Sequence, residues 1–230
     1  MSSAPEPGPT RRADPAAVTA AFAAAAALSP SCVVEEDGAG SFRHDHDALA
    51  EAVRVVGAWF DAVEERVAAS TLQFLVAARS WSVALGALAA GGVVPDLVRL
   101  RFRVDEDATV RVSLPEPVGW TTTGDPAPLL LRAVVDRCLT PFHAELRAVA
   151  KVADGLLWGN AAAAVRSAMR RLPTDFGDLG DRLLASPALR DRLSPDGTRR
   201  SCCLFYRTPT GHTCRACPLV GAAVVRHAEH

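Results

Sequence analysis

The apolar positions of the chain recur first with a helical period and then, for one short stretch, with a period of two. Over residues 44–68, Leu49, Val53, Val56, Phe60 and Val63 fall on one face of a helix. Residues 70–90 predict a second, more deeply buried helix that ends at Gly91-Gly92. From Val98 the alternation is that of a strand: Val98, Leu100, Phe102 and Val104 interleave with Arg99, Arg101 and Arg103. After the turn Asp105-Glu106-Asp107, Val110, Val112 and Leu114 complete a β-hairpin with one apolar and one arginine-rich face. That second face reads as solvated strand surface or as a wall facing anions, the protein's own acids among them.

The helical period then returns. A Pro/Gly-rich connection from Pro115 to Pro128, with Trp120 inside it, leads to helices over 129–139, 141–152 and 156–172. Shorter ones follow over 180–185 and 187–193, broken by Gly177, Gly180 and Pro195-Asp196-Gly197. At the other end, Ala16 to Leu28 predicts a helix capped by Asp14 with Pro15 at its first position, behind a disordered lead-in over residues 1–14. The expected fold is α+β: a mostly helical main domain over 15–195 with a small antiparallel sheet, and a short cysteine-rich C-terminal segment over 196–230.

Composition narrows the function more than the fold. Hydrophobic residues make up 49% and charged residues 22% of the 230, with a net charge of −1. Such a chain has no global attraction to nucleic acid or to a membrane surface. No Walker lysine follows Gly91-Gly92 and no G-x-G-x-x-G occurs, so nucleotide binding is not indicated. The run Ala16–Leu28 follows Arg11-Arg12 and precedes Cys32, but it is too short and too rich in alanine to span a bilayer. The expectation is a cytoplasmic protein without stable membrane insertion. His44-Asp45-His46 resembles a metal motif only superficially, because the two imidazoles diverge at a helix start.

Four of the six cysteines lie close together as Cys202, Cys203, Cys214 and Cys217. A Cys202–Cys203 disulfide is disfavoured, since adjacent Cα atoms are only ~3.8 Å apart. A Cys214–Cys217 disulfide would leave the other pair unexplained. Four thiolates are the ligand set of a [2Fe–2S] cluster or of structural zinc. Structural zinc usually takes both ligand pairs from C-x₂₋₄-C knuckles, so the adjacent pair favours the cluster while leaving zinc open. Cys138 lies in a helix and reads as a small buried hydrophobe, and Cys32 is expected to be likewise dispensable to the metal.

The arrangement C-C-x₁₀-C-x-x-C, inside Arg199-Arg200-Ser201-Cys202-Cys203-Leu204-Phe205-Tyr206-Arg207 and Cys214-Arg215-Ala216-Cys217-Pro218-Leu219, resembles the signature of the FhuF-like ferric-siderophore reductases. The likeness is sharp over 199–219 and diffuse over 45–195. It implies a [2Fe–2S] cluster on Cys202, Cys203, Cys214 and Cys217 that passes one electron to Fe(III) in a hydroxamate-type siderophore. It also implies an external electron donor, a ferredoxin or a flavin reductase. Arg215-Ala216 stands where that family often has a glycine and an acidic residue. Trp158-Gly159-Asn160 resembles a Trp/Asn stretch of the same family, though a core aromatic beside a capping asparagine would look the same. Arg199, Arg200, Arg207 and Arg215 are candidates for raising the cluster potential and for docking an acidic ferredoxin. A redox sensor and a zinc-stabilised binding module remain the alternatives from other classes.

Overall fold

The computed structural model describes residues 9–36, 41–209 and 213–220. Its centre is helix α3 (Glu65–Gly91), 27 residues long and buried on most sides. Long and apolar enough by length and composition to cross a membrane, α3 is instead the core helix. It packs against α1 (Pro15–Leu28), α2 (His46–Trp59) and α6 (Asp154–Arg170). It stops where predicted: Gly92, at φ +64°, takes the left-handed conformation that glycine enters without a Cβ penalty. Helix α1 also starts as expected, with the Asp14 carboxylate accepting from the Ala16 N–H at 2.8 Å and Pro15 in the first turn.

Two expectations about the N-terminal half are corrected. The helix predicted over 44–68 ends at Trp59, and α3 begins at Glu65. Between them the chain reverses through Asp61, at φ +49°, and Val63 is 94% exposed rather than on the buried face. The apolar spacing continued across a turn that carries no glycine or proline to announce it. The lead-in is corrected as well. Residues 1–8 lie outside the described residues, but β1 (Thr10–Arg12) pairs antiparallel with β5 (Gly119–Thr122), Arg11 facing Thr121. Strand β2 (Val94–Pro95) lies on the other side of β5, so the sheet order is β1-β5-β2. This sheet borrows its edge from residues too polar to suggest a strand.

The predicted hairpin is present as β3 (Arg101–Val104) and β4 (Val110–Ser113), with Phe102 opposite Val112. Phe102 is buried and stacks on Phe42 at a centroid distance of 5.8 Å. The arginine face meets acids of the protein itself. Arg99 pairs with Glu116, Arg103 with Asp105, and Arg111 Nε donates to Asp105 at 2.8 Å. Asp45 caps α2, as a solvated helix start requires, and His44 leans on Glu145 at 2.8 Å.

Residues 127–149 form one continuous helical run rather than two helices. It consists of α4 (Ala127–Leu130), a π-helical stretch (Leu131–Leu139) and α5 (Thr140–Val149). Pro141 has no N–H to give and its ring crowds the carbonyl four residues back. The widened i→i−5 register just before it lets the helix continue. Helix α7 (Leu179–Leu184) is found near its expected place, but 187–193 is a series of turns, with Asp191 at φ +60°. Leu193 then bridges Arg199 and delivers the chain to the cysteines.

Candidate metal centre

Residues 199–220 contain little regular structure: a single 3₁₀ turn (Phe205–Arg207) among the described residues. What fixes the segment is a chain of polar contacts reaching into the helical body. The Ser70 hydroxyl, buried on α3, donates to the Cys203 carbonyl at 2.7 Å. Asn160 on α6 donates from Nδ2 to the Ser70 carbonyl at 3.0 Å and lies 3.1 Å from its Oγ. The Asn160 Oδ1 in turn accepts from the Arg199 guanidinium. Arg199 is buried, its charge 5.0 Å from the centroid of the Phe74 ring, and its N–H closes on the Ala216 carbonyl at 2.9 Å. One bracket, Ser70–Asn160–Arg199, therefore holds both halves of the cysteine motif.

Gly159 lets the segment lie this close. A Cβ there would stand 2.2 Å from Ser201 Oγ, and that hydroxyl is committed to the Gly155 carbonyl at 3.1 Å. Trp158, its neighbour on α6, stands edge-on to His143 at a centroid distance of 4.5 Å. Asn160 is thus no cap: it sits inside α6, and its amide bridges two helices and the metal segment. Phe205 packs edge-on against Phe60 at 5.2 Å, and Arg207 binds Glu64 at 2.6 Å.

Within the segment Cys203 lies against both Cys214 and Cys202. Cys203 and Cys214 sulfurs are 3.6 Å apart, and Cys202 interacts with both Cys203 and Cys217. Leu204, at φ +66°, turns the chain immediately after the adjacent pair. The Leu204 N–H points at Cys202 Sγ, 3.3 Å away, and the Leu219 N–H meets Cys217 Sγ at 3.4 Å. The Cys217 N–H donates to the Cys214 carbonyl at 2.9 Å, which closes the C-x-x-C loop. His212 lies outside the described residues.

The thiols of Cys202, Cys203 and Cys214 shift one another. Cys203 is pulled well below the ordinary thiol range by contacts from Cys202 and Cys214, helped by the Arg199 charge and opposed by burial. Cys202 and Cys214 are pushed up, first by the neighbouring Cys203 thiolate and then by burial. Cys32 and Cys138 take no part. Both are buried in the helical body, Cys32 Sγ on the Ser82 carbonyl at 3.2 Å and Cys138 beside Ser80 Oγ at 3.4 Å, and burial raises both thiols.

Soft sulfur donors, amide N–H groups aimed at two of them and a buried guanidinium nearby suit an anionic iron–sulfur centre. Among the described residues no three histidine, cysteine or carboxylate side chains close around a single ion. A two-iron rhomb asks only that sulfurs pair up, two to each iron. The chain thus carries an iron–sulfur, metal-binding segment. Residues 199–219 match the family model of the FhuF 2Fe-2S C-terminal domain, which decides for a [2Fe–2S] cluster over the zinc left open by spacing. The match covers the cysteine segment alone, and no curated protein matches the chain.

Beside this centre lies a cleft of about 550 Å³, into which Cys203 and Cys214 open. Phe60, Phe74 and Phe205 contribute aromatic wall, and Arg170, Arg171 and Arg215 line its cationic side. Nothing in the one-dimensional pattern indicated the cleft. Ser70 and Asn160 left a faint trace: each is a polar residue inside an otherwise apolar helical stretch.

Proposed function

We propose that Cys202, Cys203, Cys214 and Cys217 are the four ligands of the [2Fe–2S] cluster and that the protein is a cytoplasmic ferric-siderophore reductase. The observation that carries this reading is the cleft: a cavity in the size range of small-molecule sites opens onto two of the cysteines. The cluster supplies one-electron chemistry when bound. The chain's residues do the rest. Phe60 and Phe74 offer the apolar surface of a bulky chelate something to rest on, within reach of Cys203 and Cys214. Arg199 places a buried positive charge where added negative charge must be stabilised, while its bonds to Asn160 and Ala216 keep it from turning outward. It is not a docking residue for a ferredoxin, since it is buried; Arg200 is exposed and stays available for that role.

The substrate is Fe(III) held by hard oxygen donors in a hydroxamate-type siderophore. One electron converts it to Fe(II), which those donors hold far less well, and the metal leaves. The electron comes from an external ferredoxin or flavin reductase. The burial of α3 within the helical body supports operation without a bilayer.

Anaerobic protein, chemically reduced, is to be mixed with a ferric hydroxamate and a ferrous trap. Its visible spectrum should return to the oxidised form at a rate that rises with siderophore concentration, with one Fe(II) trapped per electron. NADPH alone should give no turnover. An intact cluster indifferent to every ferric siderophore would replace this reading with that of a redox sensor.

A further inference from the structure

Arg170, Arg171 and Arg215 share the cleft with Cys203 and Cys214, and among the described residues no carboxylate lines it. None of the three makes an ion pair among the described residues, whereas Arg207 on the same segment is tied to Glu64 and Arg182 to Asp125 and Asp178. Around Arg170 the charged neighbours are Arg215, Arg166 and Arg171, all of one sign. Like charges gathered in a concavity without an acid raise the energy of the empty site and lower that of an anion-filled one. Arg199, whose charge reaches the cysteines, is already buried and bonded. The other three face the space a ligand would fill.

Resting on the reductase reading, we propose that this cleft selects ferric siderophores of net negative charge. In these, carboxylates left free by the metal engage Arg170, Arg171 and Arg215 while the apolar body rests on Phe60 and Phe74. A guanidinium fork matches a carboxylate with two parallel hydrogen bonds, a geometry that a neutral or cationic chelate cannot exploit. A cavity of about 550 Å³ suits a small chelate better than the broad surface of an acidic donor protein.

The test uses cluster-loaded protein and redox-inert Ga(III) chelates, so that binding is read by calorimetry without turnover. Three probes separate charge from shape: a citrate-centred dihydroxamate with free carboxylates, a neutral cyclic trihydroxamate, and a linear trihydroxamate bearing a free ammonium. The carboxylate-bearing chelate should bind about tenfold tighter than the neutral one, as three part-exposed ion pairs imply, and the cationic one weakest. Raising the salt should shrink that preference in the unaltered protein. In Arg170→Glu/Arg171→Glu the preference should vanish or invert, with the neutral chelate bound as before. Equal affinity for all three probes overturns the charge proposal. If the ferric forms of those probes still reoxidise the protein, the reductase reading survives that failure. Absence of binding by every probe, with the cluster spectrum intact, sinks both. If the double variant shifts only the cluster potential, or only the affinity for an acidic ferredoxin, the arginines serve the centre or the donor and the proposal falls.

Discussion

Helix α3 and the cysteine segment are held in place by opposite means. The helix buries Leu72, Val76, Trp81, Val83 and Leu85 completely against its neighbours, so its position follows from area removed from water. Residues 199–220 bury little of that kind. They rely on Ser70, Asn160 and Arg199 for register. Burial is spread over many contacts and survives the loss of one; a bracket of three polar groups does not. The segment that carries the iron–sulfur motif is one with little packing of its own.

The sharpest test of that contrast removes the metal. Cys203→Ala should lose the cluster almost entirely, read as iron and labile sulfide per chain. Amide exchange should rise across 199–220 while α3 and α6 remain protected. Cys138→Ala, deep in the helical body, should keep the cluster. Full loss of helical structure on metal removal would show that the two regions fold as one unit.

Acid should act on the other side of the comparison. His143, buried and hydrogen-bonded at 2.9 Å to Gln73, is held neutral, its pKa depressed to about 3 chiefly by burial and then by Arg147. Below the unfolded-state pKa near 6.5, the unfolded chain takes up a proton that the folded chain refuses. Stability should therefore be lost as pH falls from about 6.5 towards about 3, by up to ~1.4 kcal/mol for each pH unit. Urea melts of the apoprotein at several pH values would measure this slope, and His143→Gln should flatten it.

Asn160→Ala tests the bracket itself. It leaves the Arg199 guanidinium buried without its oxygen partner, a loss of about 2–3 kcal/mol. The expected readout is faster release of iron to a chelator, with little change in helical content. Unaltered release kinetics would show that the metal alone positions the segment.

The sequence made the cysteine motif legible because ligand spacing is local: Cys202, Cys203, Cys214 and Cys217 belong to one short run. The helical body was legible where period and punctuation agreed, as at Asp14-Pro15 and Gly91-Gly92. It failed at 60–64, where an apolar period ran through a turn, and at 10–12, where strand pairing with 119–122 overrode a polar composition. Ser70 and Asn160 lie far from Cys203 in the chain. Their role depends on how α3 and α6 cross, which spacing does not encode. The cleft was hidden for the same reason.

The bracket also sets an order of events during synthesis. Ser70 and Asn160 are translated before Arg199 and the cysteines, on helices that can dock as the chain emerges. When the thiols leave the ribosome, the surface that receives the Cys203 carbonyl and the Arg199 guanidinium is already assembled. An iron–sulfur donor would then meet the cysteines on a surface already finished around Ser70 and Asn160. Maturation becomes a transfer onto a template.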